Sequence, residues 1–218
     1  MSNISVVLTD SMGSDAGIVN AARVSFGRHI NAMSEGDERL IKYLAKHNHW
    51  SPFAHAFLQF RIKAPIFVAR QLAKHQAGLV INEISRRYVD HEPEFYEVDK
   101  WRGRPTDKKQ GSSEDEIEWV SRSRRTGALQ LGVENIALKN YNIMLKAGVA
   151  PEQARMILPQ SMMTEWIWSG SLYSFARVCN LRCSPDAQYE TRLVADIIDE
   201  KTAILFPVSW IALRSNHK

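Results

Sequence analysis

Between residues 57 and 78 the chain changes period. Leu58, Phe60 and Ile62 alternate with Gln59, Arg61 and Lys63, the pattern of a half-exposed strand. The apolar run Ala64-Pro65-Ile66-Phe67-Val68-Ala69 comes next. Pro65 suits a first helical position because its φ is already fixed near the helical value. The helix so opened is predicted to end at Gly78, a residue type that accepts the left-handed turn after a helix. It would carry Arg70, Gln71, Lys74 and His75 at i, i+1, i+4 and i+5, on one shared face.

Residues 70–88 concentrate polar chemistry. They hold Arg70, Lys74, Arg86 and Arg87 with one His, one Glu, one Ser and three side-chain amides. A solvated face with a few ion pairs accounts for any single Lys or Arg. An anion site accounts for the excess of cations over Glu83, since Arg forks match carboxylate and phosphate oxygens and Ser and amide groups add neutral donors. Spacing alone favours the anion site, with the solvated face as the alternative.

Elsewhere the periodicity predicts a short strand at Ser5–Leu8, a helix over Asp15–Val24 and an amphipathic helix over Glu38–His47. Tyr88–Val98 is predicted to return as a strand. Ser113-x-x-Glu116 reads as a capping box opening a long helix towards Leu145, with Leu129, Val133, Ile136 and Ile143 as one stripe and Gly127 and Gly132 weakening it. Pro151 starts a further helix that Pro159 stops. Met162–Trp168 reads as a strand and Ser171–Arg182 as a helix. A final helix aligns Ala187, Thr191, Val194, Ile198 and Ile204.

Several function classes find little support. His47, His49 and His55 lack a Cys or carboxylate partner and the i, i+4 spacing of helical metal ligands, so no metal is expected. Cys179 and Cys183 are too few for a disulfide framework, and neutral thiols in a reducing cytoplasm are expected. No apolar run approaches the ~18 residues of a membrane span, and the first residues lack a signal-peptide pattern. The basic stretch Lys100–Gly111 lacks the interleaved aromatics of a single-strand platform and reads as a solvated loop. A net charge of +4 with pI about 9.1 suits anionic small molecules as well as nucleic acid. With 218 residues and 44% hydrophobic side chains, a single domain spanning 1–218 is expected.

The segment Lys74-His75-Gln76, eight residues, then Ser85-Arg86-Arg87 resembles the signature of flavin-dependent thymidylate synthases, Arg-His-Arg, seven residues, Ser-x-Arg. Two signature arginines are replaced by Lys74 and Gln76, and the connection is one residue longer. The tail Asn82-Glu83-Ile84-Ser85-Arg86-Arg87-Tyr88 matches in full. Ala21-Ala22-Arg23-Val24-Ser25-Phe26, the turn from His49 to His55, Gly148-Val149 running to Leu158-Pro159, Asn180-Leu181-Arg182 and Ala187-Gln188 also resemble family segments, in order. The turn carries Ala54 where family members often have Glu, and Asp186 stands where His is frequent.

The resemblance implies an α+β fold, a small sheet with a helical bundle region, assembled as a homotetramer with composite sites. It implies conversion of dUMP to dTMP, with methylenetetrahydrofolate as one-carbon donor and FAD, reduced by NADPH, as hydride carrier. The implied dUMP contacts are Gln71, Lys74, Glu83, Ser85, Arg86, Arg87, Arg155 and Arg182, with Arg182 catalytic. The implied FAD contacts are Ser25, His49, Ser51, Lys74, His75, Gln76, Glu83 and Arg177. No nucleic-acid or membrane partner is implied. No Gly-x-Gly-x-x-Gly loop supports FAD independently, and neither Cys has the Pro and His neighbours of a cysteine-dependent thymidylate synthase. Two alternatives remain: a degenerate homologue that binds nucleotide without flavin chemistry, and a phosphate-binding nucleic-acid module.

Overall fold

The predicted alternation of Phe57–Lys63 is realised in strand β2, Phe57–Pro65, at the centre of a four-stranded antiparallel sheet. A computed structural model describes residues 3–89, 91–106 and 111–215. The sheet order is β1-β2-β6-β3, with β1 at Ser5–Met12, β3 at Leu79–Glu83 and β6 at Met163–Ser171. β2 and β6 pair Leu58 with Gly170, Phe60 with Trp168, Ile62 with Trp166 and Ala64 with Thr164. All eight residues are buried. The opposite face pairs Gln59 with Ser169 and Lys63 with Glu165, and Arg61 donates to Glu165 at 2.6 Å. This is the apolar-in, polar-out arrangement of an antiparallel sheet covered on one side.

The cover is helical. Helices α1 (Asp15–Arg23), α2 (Glu35–Lys46) and α3 (Ile66–Leu72) precede α4 (Thr126–Lys146) and the short α5 (Pro151–Ala154). Helices α6 (Leu172–Arg182), α7 (Tyr189–Leu205) and α8 (Pro207–Ser215) complete the set. Phe175 of α6 meets Phe60 and Trp168 edge-on, with centroids 5.1 and 5.2 Å apart, the geometry aromatic quadrupoles prefer. Asp15 in the first turn of α1 accepts from the backbone N–H groups of Val208 and Ser209 at 3.0 and 2.9 Å. It thereby satisfies orphan donors at the start of α8. Replacing Asp15 with Ala is expected to cost about 1–2 kcal/mol of stability, read as a lower urea midpoint at unchanged slope.

The fold is α+β, a small sheet with helices packed on it, and departs from the sequence reading in particular places. The helix after Pro65 ends at Leu72 with Ala73 as its cap. Gly78 has φ +73°, but it turns the chain into β3. A Cβ there would lie 2.3 Å from Ser174 Oγ, so the position excludes other residues both by conformation and by space. Among the described residues of Tyr88–Val98 no strand forms; Phe95 makes an isolated bridge to Met162. Ser113–Glu116 opens no helix, because Arg102 bridges to Glu116 and a hairpin, β4 (Trp119–Ser121) and β5 (Arg124–Arg125), intervenes before α4. Ile204 is 75% exposed and leaves the core face assigned to the final helix. Pro207 opens a further helix beyond the one read as final. Of the basic stretch, residues 107–110 lie outside the described residues.

Candidate active site

The end of α3 and the end of α6 bring the candidate residues together. α3 stops one turn before His75, whose backbone N–H bonds Leu72 O at 2.9 Å. Lys74 and His75 therefore sit on a turn, not on the helical face that spacing predicted. That turn lays His75 against α6, and Arg182 Nε donates to His75 Nε2 at 3.0 Å. Burial, then the positive charges of Arg182 and Arg177, hold the His75 imidazole below its ordinary pKa of 6.5. The ring is thus neutral at pH 7, its Nε2 lone pair facing Arg182 and its proton on Nδ1. Burial also draws Arg182 down from the usual arginine value, though guanidinium stays charged at neutral pH.

Gln71 sits on the last turn of α3 and is half-buried. Its Oε1 accepts a hydrogen bond from the hydroxyl of Thr191 on α7, a side chain with no exposed surface. That leaves the Gln71 amide N–H groups as donors. Lys74, Gln76 and Arg177 are exposed. Among the described residues none of these three spends its side-chain donors on another side chain.

A second group lies at the end of β3. Thr164 of β6 donates to Glu83 Oε1 at 2.5 Å. Arg87 donates from its backbone and its Nε to Ser85 Oγ, at 3.3 and 3.2 Å. Its guanidinium lies over the Tyr88 ring, 5.1 Å from the centroid. Arg86 differs from its neighbours: it is buried, and it donates to the carbonyl of His91. Glu83, Arg86 and Arg155 line a cavity of about 270 Å³ with Ile66, Met156 and Met162. Among the described residues no hydrogen bond or ion pair joins Arg87 to Gln71, His75 or Arg182. The donors thus come from two places in the fold, the ends of α3 and α6 and the end of β3.

A third set is exposed. Ser25 lies in a 3-10 turn after α1, Val24–Phe26. Ser51 opens another, Ser51–His55, and His49 stacks near Tyr43 with centroids 6.2 Å apart. Among the described residues no group of three or more His, Cys, Asp or Glu side chains is placed to hold a metal ion. No helix there is long and apolar enough to cross a membrane. Burial pushes the Cys179 thiol well up, which suits an inert structural thiol. Sequence reasoning missed Thr164 and Thr191, the hydroxyls that orient Glu83 and Gln71. Their one signal was a Thr on an apolar face.

The family model described as thymidylate synthase complementing protein matches residues 7–208. A flavin-dependent thymidylate synthase of Thermus thermophilus is 40% identical over 211 residues, covering 97% of this chain and 76% of that protein. One from Thermosipho africanus is 38% identical over 198 residues, covering 89% and 85%. Among solved structures, a UMP/dUMP methylase PolB from Streptomyces cacaoi bound with 5-Br dUMP superposes with TM-score 0.82 at 29% identity, covering 98% of this chain and 95% of that one.

Proposed function

The chain belongs to the thymidylate synthase complementing protein family, and from that premise we propose that it methylates dUMP to dTMP as a flavin-dependent thymidylate synthase. Methylenetetrahydrofolate gives the one-carbon unit and leaves as tetrahydrofolate. FAD, reduced by NADPH, supplies the hydride that completes the methyl group. The observation that carries this reading is the Arg182–His75 contact, which joins the signature segment to the Asn180-Leu181-Arg182 helix end.

Each residue has a physical task. Arg87 and Ser85, already bonded to each other, hold the dUMP phosphate with charge-assisted donors, and the free amide of Gln71 adds a neutral one. Arg155, beside Glu83 and Arg86 in the same cavity, makes a further nucleotide contact, and Arg86 shapes that cavity from its buried position. Arg182 faces the uracil amide edge. Its cation stabilises negative charge growing on N3 and O4 as C5 becomes nucleophilic. No protein nucleophile is required.

The donors fit a dinucleotide. Among the described residues Lys74, Gln76 and Arg177 keep their side-chain donors free of other side chains, and they suit a diphosphate, Lys74 as a point charge in place of a planar fork. His75, Ser25, His49, Ser51 and Glu83 complete the proposed flavin contacts. His75→Ala is expected to weaken FAD binding in a titration beside the parent protein. Equal affinity would remove His75 from the flavin site.

The two donor groups meet across subunits in a homotetramer. Leu129, Val133, Ile136 and Ile143 form the predicted stripe on α4, yet they are 42–64% exposed in the single chain, and β3 ends the sheet with Val80 69% exposed. Such apolar surface calls for a partner, and a second copy supplies the missing half of the site. Sedimentation is expected to give about four times 24.8 kDa, and a Val133→Glu, Ile136→Glu double variant to dissociate and lose activity. An active monomer would contradict this.

The alternatives separate by colour. Purified protein that is yellow, or takes up FAD, supports the enzyme; colourless protein that binds dUMP but no FAD supports the degenerate homologue. The nucleic-acid reading would place Arg70, Lys74, Arg86 and Arg87 on phosphates and predicts steep salt dependence and affinity for long polyanions; Arg86, buried and given to the His91 carbonyl, is poorly placed for that role. The two free thiols are consistent with a cytoplasmic setting.

A further inference from the structure

Arg182 has five N–H donors, and among the described residues one of them is engaged. Its Nε–H is given to His75, 107 positions away in sequence, while among the described residues no hydrogen bond engages its Nη groups. A guanidinium held at Nε keeps its plane and direction, with its outer fork free.

We propose that His75 is a positioning residue for Arg182: by accepting the Nε–H at its own Nε2, it aims the remaining Nη fork at the substrate. This role rests on the proposed reaction for its consequence, but the contact itself does not. An imidazole can accept at Nε2 only while that nitrogen carries no proton. The charged groups acting on the ring are Arg182 and Arg177, both from α6, with Lys74 beside it in the chain. None is a carboxylate that would favour imidazolium. Protonation turns the acceptor into a donor facing a cation, so Arg182 loses its anchor. Since the ring is held below 6.5, the anchor is intact at pH 7 and is lost as pH falls through that lowered value. The consequence for the enzyme is that the segment proposed to hold flavin also sets the direction of the arginine proposed to activate the pyrimidine.

The test uses full-length protein at saturating FAD and dUMP, with single-turnover flavin oxidation as readout. His75→Ala is expected to turn over about tenfold slower or worse, with dUMP affinity nearly unchanged. His75→Gln offers Oε1 near the position of Nε2 and is expected to recover most of the rate. Wild-type protein should lose rate below pH 6.5, and the Gln variant should lack that acid limb. Wild-type rates in the Ala variant, equal losses in Ala and Gln, or an unchanged acid limb in Gln would each overturn the proposal. A second measurement does not need activity. Nitrogen-15 shifts of the His75 ring are expected to show Nδ1–H with Nε2 unprotonated, and exchange of the Arg182 Nε–H should accelerate in the Ala variant. An Nε2–H tautomer overturns the contact even if the reaction is as proposed. Absence of dUMP-dependent flavin oxidation in the wild type, with the expected tautomer present, sinks the reaction and with it the role, while the contact stands.

Discussion

Arg182→Ala is expected to lower the turnover of bound dUMP by roughly a hundred- to a thousandfold, the loss typical of one donor aimed at developing charge. Arg182 closes α6 as its last residue and is half-buried. In that partly dry setting a fixed cation acts more strongly than in water. Charge on the uracil amide edge grows only as C5 becomes nucleophilic, so the contact strengthens towards the transition state and the rate suffers more than binding. Single-turnover flavin oxidation at saturating dUMP reads this directly. A variant that binds dUMP poorly yet turns over normally once saturated would mean that Arg182 holds the nucleotide without activating it.

Arg87→Ala is expected to fail differently, weakening dUMP affinity about ten- to a hundredfold, in line with roughly 1.5–3 kcal/mol for a charge-assisted hydrogen bond. The side chain is exposed, but Ser85 Oγ and the Tyr88 ring fix its direction, so little ordering remains to be done on binding. A phosphate keeps its charge throughout the reaction. Its contact therefore contributes equally to ground and transition states, and turnover at saturation should hold. Direct dUMP titration is the check; normal affinity with slow turnover would exchange the two arginines' roles.

What was legible in the sequence follows from how local each cause is. The alternation of β2 depends only on which side chains face water, and it holds residue by residue: Leu58, Phe60 and Ile62 are buried. The apolar stripe of α4 was equally readable, though periodicity could not say that it stays exposed in the single chain. The start of α3 was readable to within one residue: Pro65, read as the first helical position, is the last residue of β2 and the extended N-cap, and the helix begins at Ile66. Its end was not. Gly78 was read as a stop signal, but its real constraint is the Ser174 hydroxyl, close in space and distant in sequence. The same holds at Gly170, where a Cβ would meet the Gly78 carbonyl at 2.5 Å. The Ser113–Glu116 pattern satisfies a local capping rule, but pairing of Arg102 with Glu116 prevails. Within the site, cations and amides announced themselves by type. The contacts that orient them, Thr191 to Gln71, Thr164 to Glu83 and Arg182 to His75, span 120, 81 and 107 positions and leave no trace in local spacing.

The most direct test of the proposed activity is anaerobic. Protein loaded with FAD and reduced by NADPH should regain the oxidised flavin spectrum only when dUMP and methylenetetrahydrofolate are both present, with one dTMP formed per flavin oxidised. Reduced flavin that stays reduced with both substrates bound, or protein that binds dUMP but takes up no FAD, would contradict the account.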